Sequence, residues 1–151
     1  MSIRPSSIPG AGLGVWAERD FPKRTRFGPF GGVVTDHINE WQYAWLIYDL
    51  NNNIKHYVDA YHKNSSNWLR YVDCARTVNE ENLYLYQLNY KPYYVSYECI
   101  KSGTELLIWY GTDYGVELGL NRTAEDYKRR FNEDDTRYVI ESKLYGKIMF
   151  Q

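Results

Sequence analysis

The chain has 151 residues and 17.9 kDa, the size of one ordinary domain. Its 18 Lys and Arg against 19 Asp and Glu give a net charge of −1, which argues against a protein that binds by neutralising phosphates. Aromatics make up 17% of the residues, with 16 Tyr among them, so the chain is folded, and its apolar runs fall far short of the roughly 18 residues that span a bilayer.

Residues 1–12 read as an irregular lead-in broken by Pro5, Pro9, Gly10 and Gly12. Short extended segments follow at 15–17, 25–30 and 31–35. Segments 43–48 and 55–59 flank Asp49-Leu50-Asn51-Asn52-Asn53, a hairpin turn signal. Residues 65–70 allow one helical turn. Strands at 83–88 and 94–100 flank a second predicted hairpin turn at 89–92, and 106–110 is a fully apolar strand. Helical signals gather at the end: 113–118, closed by Gly119 as C-cap, then 124–131 behind Thr123 as N-cap, then 133–144. The charge runs Lys128-Arg129-Arg130 and Glu133-Asp134-Asp135 read as a solvated helix face.

Chemistry-bearing motifs are scarce. The chain has no Ser-His-Asp set, P-loop or dinucleotide glycine fingerprint. Cys74 and Cys99 form no C-x-x-C pair and suit a reduced compartment, and His37, His56 and His62 add no zinc spacing, so no metal is expected. No signal stretch opens the chain, which leaves the sequons at Asn64 and Asn121 without weight. Gly10-Ala11-Gly12-Leu13-Gly14 lacks the strand before and helix after that a phosphate cradle needs. Its glycines still permit close approach of a backbone loop to a ligand.

Five blocks occur in one order: Gly12-Leu13-Gly14-Val15-Trp16, Phe27-Gly28-Pro29-Phe30, the run from Asn67-Trp68-Leu69-Arg70 through Asp73-Cys74-Ala75-Arg76, Glu81-Asn82-Leu83, and Glu105-Leu106-Leu107-Ile108-Trp109-Tyr110-Gly111. Together they resemble the PR domain, the SET-related domain at the head of the PRDM zinc-finger proteins. Within that family the likeness is to the branch that methylates lysine 4 of histone H3 in meiotic recombination. The resemblance implies a mainly β, SET/PR-type fold of several small sheets with a threaded, knot-like segment and C-terminal helices. It divides the chain into a PR/SET domain over residues 1–120 and a helical extension over 121–151 that closes as a lid.

The activity implied is S-adenosylmethionine-dependent methylation of a lysine on a histone tail, in the nucleus, with no nucleic acid or membrane contact by this domain. The resemblance casts Tyr110 as the catalytic tyrosine, Tyr94 as a second tyrosine of the lysine channel, and Phe30 as the third, where close relatives carry Tyr. Gly12, Leu13, Gly14, Val15 and Trp16 would wrap the cofactor through backbone groups. Tyr43 would contact it, and Asp73 and Cys74 would hold its methionine end, with Asn usual at the Asp73 position. The chemistry agrees: a neutral lysine is needed, and burial in an apolar, aromatic channel disfavours the ammonium. Taken singly these residues are unremarkable. Trp109-Tyr110 would be core at a strand end, Phe30 a packed aromatic, and Cys74 a small buried hydrophobe. The rival reading is a catalytically weak PR domain that serves as a protein-interaction module.

Overall fold

The computed structural model describes residues 1–111, 118–120 and 147–149. Two sheets organise them. The larger runs in the order β1 (Ser2–Pro5), β2 (Leu13–Trp16), β10 (Glu105–Ile108), β8 (Leu83–Leu88), β9 (Lys91–Ser96), β3 (Arg26–Phe27), with β7 (Asp73–Cys74) on β10 and β11 (Lys147–Met149) on β8. The smaller has three strands in the order β4 (Val33–Thr35), β6 (Ile54–Asp59), β5 (Ala44–Tyr48). Among the described residues, helix is limited to short 3-10 turns at Trp41–Tyr43, Lys63–Ser65 and Trp68–Tyr71. This is the mainly β arrangement that the sequence implies.

β10 is the hub. It runs antiparallel to β2, with Leu106 opposite Val15, and parallel to both β7 and β8, with Ile108 opposite Cys74 and Leu83. A strand flanked on both edges and covered on both faces favours apolar residues, and all of β10 is buried, Leu106, Leu107 and Ile108 as apolar side chains and Glu105 as a carboxylate satisfied by hydrogen bonds. The predicted strand at 106–110 thus starts one residue earlier and ends at Ile108, which leaves Trp109 and Tyr110 beyond its last pairing. Asn82 extends the ladder with its side chain: Nδ2 donates to Glu105 O at 2.8 Å, and Oδ1 accepts from Leu107 N at 2.9 Å. A buried amide satisfied in this way stands in for a missing strand residue.

The β5–β6 hairpin forms where its turn signal falls. The Asp49 carboxylate accepts from Asn51 N at 2.8 Å and Asn53 N at 2.9 Å, and Asn52 takes a positive φ of 64°. The second hairpin is tighter than its sequence suggests. Only Asn89 and Tyr90 form its turn, at φ 50° and 61°, and Leu88 pairs Lys91 directly. Pro92 therefore lies inside β9. The alternation that starts from a two-residue turn makes Gln87–Pro92 a non-hydrogen-bonded pair, so β8 needs no N–H from it. Its carbonyl points outward and accepts from Phe30 N at 2.7 Å.

One core joins the sheets. Val15, Leu106 and Ile108 from the large sheet pack in one cluster with Trp45, Ile47 and Val58 from the small one. Gly119 has φ 73°, the geometry a C-cap requires. The rest of the predicted helices at 113–118 and 123–144 falls outside the described residues, apart from Leu118. Within the extension, Lys147–Met149 is a strand, antiparallel to Leu85–Gln87 of β8.

Candidate active site

A cleft of about 470 Å³ opens between the β1–β2 loop, the turn before β5 and the segment around β7, within the range of small-molecule and cofactor sites. Gly12, Leu13, Tyr43, Asp73, Cys74 and Tyr110 line it, which brings together six residues that the sequence scatters over nearly 100 positions. Gly14, Val15 and Trp16 do not line it. They lie within β2, where Val15 is fully buried and Trp16 carries the Arg4 guanidinium at 4.8 Å from its ring centroid. Phe30 and Tyr94 lie behind the wall as buried residues.

The walls are held by side chains that the sequence reading passed over. The buried Arg70 donates through Nε to Ala60 O at 3.0 Å and through Nη2 to Tyr61 O at 3.2 Å. Its guanidinium then lies over the rings of Tyr43, at 4.4 Å, and Tyr71, at 4.8 Å. Two cation–π contacts on one anchored group hold both tyrosines against the cleft. Asn67 caps the 3-10 turn that carries Arg70 by accepting from Leu69 N, and its Nδ2 donates to Pro29 O at 2.9 Å. That bond ties the turn to the Pro29-Phe30 segment.

Behind Tyr110 lies an aromatic cluster. Phe30 and Tyr94 stand 5.8 Å apart by ring centroid. Trp45 meets Tyr94 edge-on at 6.0 Å and Tyr110 edge-on at 6.1 Å, so one indole joins the buried tyrosine to the one on the cleft. Trp45 Nε1 donates to the Tyr94 hydroxyl at 2.8 Å, while the Tyr110 hydroxyl donates to Val72 O at 2.5 Å. Burial holds the Tyr94 phenol well above its ordinary range, against the smaller opposite effect of Trp45, so Tyr94 is neutral.

Two carboxyl groups, Glu105 and Asp73, lie close together, and Asp73 borders the cleft. Buried Glu105 accepts from Ser6 Oγ at 2.6 Å, from Ser7 N at 2.9 Å and from Ser7 Oγ. This pins the start of the loop whose later residues, from Ile8 to Leu13, border the cleft. A Cβ on Gly14 would collide with the Glu105 carboxylate. The glycine therefore admits Glu105 rather than a ligand. Asp73 lies nearby with Oδ2 buried and without a hydrogen-bond partner. Burial pushes its carboxyl up to about 7; the Ser6 hydroxyl works the other way, and the Glu105 charge adds to the rise. Cys74 Sγ is buried against Ala75 O at 3.6 Å. Among the described residues no group of His, Cys, Asp and Glu is arranged to hold a metal.

The site fits a ligand with a cationic end. The orphaned Asp73 oxygen is a ready acceptor for an ammonium, and the loop backbone and the Arg70-held tyrosines offer polar edges and ring faces along the cleft. Comparison with known proteins places the arrangement. The family model for the PR domain of PR domain zinc finger protein 2 matches residues 1–121. The human histone-lysine N-methyltransferase PRDM7 is 43% identical over 128 residues, covering 83% of this chain and 26% of that protein. The Caenorhabditis elegans histone-lysine N-methyltransferase set-17 is 37% identical over 131 residues, 84% of this chain and 46% of that protein. The chain thus spans under half the length of these curated relatives. The solved methyltransferase domain of human PR domain-containing protein 2 superposes with a TM-score of 0.64 at 34% identity, over 72% of this chain and 74% of that one. Blocks, topology and likeness agree, and the chain belongs to the PR-domain family.

Proposed function

We propose that the chain is an S-adenosylmethionine-dependent protein-lysine methyltransferase that acts in the nucleus on the tail of histone H3, at lysine 4. The observation that carries this reading is the junction of a cofactor-sized cleft with an aromatic cluster through Tyr110, which belongs to both. The relatives' names, as histone-lysine N-methyltransferases, support it. Held by Asp73, Cys74, Tyr43 and the backbone of Gly12 and Leu13, S-adenosylmethionine would supply an electrophilic methyl for a neutral lysine amine, the carbon–sulfur electron pair staying on sulfur.

The chain's own residues do the remaining work. Asp73 and Cys74 hold the methionine end, Tyr43 and the backbone of Gly12 and Leu13 flank the rest, and Arg70 keeps Tyr43 in place. Phe30, Tyr94 and Tyr110 form the lysine channel. Its apolar walls favour the uncharged amine, and alignment lowers the barrier by several kcal/mol. Phe30 offers no hydroxyl, which leaves room for a second or third methyl. An extended basic tail adds beside a strand edge by main-chain pairing.

Isothermal titration with S-adenosylmethionine tests the cleft, and a silent titration of folded protein overturns the proposal. Methyl transfer to a histone H3 tail peptide should fall roughly 10²-fold in Tyr110→Phe, the worth of one preorganised polar group. An unchanged rate removes Tyr110 from its role. The second reading, a weakly active interaction module, is favoured by one feature, the missing hydroxyl at Phe30. Restoring it with Phe30→Tyr should then raise the rate rather than only change the product's methylation state.

A further inference from the structure

Tyr94 and Tyr110 differ in what their hydroxyls are bound to. The Tyr110 hydroxyl gives its proton to Val72 O, so it turns its lone pairs to other partners. The Tyr94 hydroxyl does the reverse. It accepts the indole proton of Trp45 at 2.8 Å, and its own proton is directed away from that ring. Phe30, packed 5.8 Å from Tyr94, has no hydroxyl to compete for that proton. One of the two Tyr94 lone pairs is thus taken by Trp45, which fixes the direction of the other.

We propose that Trp45 is a positioning residue of the lysine channel, whose indole N–H fixes the direction of the Tyr94 hydroxyl and through it the orientation of the target amine. The inference rests on the methyltransferase reading and adds a residue to it. Trp45 suits the role because it cannot reorient: it is buried on β5 and wedged edge-on between Tyr94 and Tyr110. Its indole is a donor only, so the bond has a single polarity. An amine in the channel then gives an N–H to the remaining lone pair of Tyr94, whose direction Trp45 sets, and this leaves the amine's own lone pair turned to the electrophilic methyl.

The test separates the N–H from the ring. Trp45→Phe keeps an aromatic ring, and benzothienylalanine placed at position 45 keeps the indole's shape while replacing N–H by sulfur, so the second remains informative if the first fails to fold. In both, kcat on the histone H3 tail peptide should fall about tenfold, the scale of one lost hydrogen bond. KM should change less than kcat, and the ratio of mono-, di- and trimethyl products should shift. Combined with Tyr94→Phe, neither should lower kcat further. A benzothienyl variant with wild-type kcat and product ratio overturns the proposal, as do losses that multiply with Tyr94→Phe. In the ligand-free protein the Trp45 indole ¹⁵N–¹H resonance should resist solvent exchange and move on Tyr94→Phe; no movement overturns the proposal independently of activity. A wild-type chain that transfers no methyl overturns the methyltransferase reading and this inference with it, whereas an active wild type with unaffected variants overturns this inference alone.

Discussion

Asp73 has one oxygen buried without a partner, and its carboxyl is pushed up to about 7 by burial, with Glu105 adding to the rise. A carboxyl raised in the folded state is a stability penalty that grows with pH. Well below pH 4, folded and unfolded chains both carry it protonated and it costs nothing. Between about 4 and about 7 the unfolded chain has released the proton while the folded one retains it, so stability falls as pH rises, and above about 7 the full penalty is present. Asp73→Asn removes it. Discounted for partial exposure to solvent, the effect is about 1–2 kcal/mol, which corresponds to a Tm about 3–6 °C higher than wild type at pH 8. The melting temperatures of the two proteins should lie closer together at pH 4 than at pH 8. A constant separation would mean that Asp73 does not titrate in this window. The penalty is consistent with a residue kept for a cationic ligand rather than for the fold.

At the scale of elements, the β1–β2 hairpin is fastened to β10 by Glu105 as well as by backbone pairing. Glu105 gathers Ser6 and Ser7 over the place where Gly14 lacks a side chain. Gly14→Ala should therefore force the carboxylate aside and cost about 1–3 kcal/mol, seen as a lower urea midpoint with an unchanged slope. A neutral Gly14→Ala would show that the loop yields without loss. This clamp also shows where the sequence stops being legible. The β5–β6 hairpin is written in five adjacent residues, and the strand character of β10 in its own apolar run. Ser6 and Ser7 lie 99 and 98 positions from Glu105, and Trp45 lies 49 from Tyr94. No local pattern carries such pairings; only the fold that the resemblance implies does. Pro92 misleads for the opposite reason, since a local breaker is harmless at a non-hydrogen-bonded register position. Six of the eleven expected site residues line the cleft, while Gly14, Val15 and Trp16 belong to the strand that supports it.

For the molecule as a whole, one truncation tests what the extension after residue 120 contributes. As a lid alone, it would serve activity and leave stability nearly untouched. β11 gives it a second part, because Lys147, Ile148 and Met149 pair with Gln87, Tyr86 and Leu85 of β8, which pairs β9 along its other edge. Ending the chain at Leu120 removes this strand and exposes backbone groups of a strand central to the large sheet. Net backbone bonds of about 0.5–1.5 kcal/mol each predict a loss of several kcal/mol and a Tm lower by about 3–10 °C. Activity should fall with it, and the shortened chain should self-associate through the opened edge, as size-exclusion chromatography would read. If activity is lost while Tm and monomer size stay at their wild-type values, the extension acts as a lid alone and the β11 pairing contributes nothing to the fold.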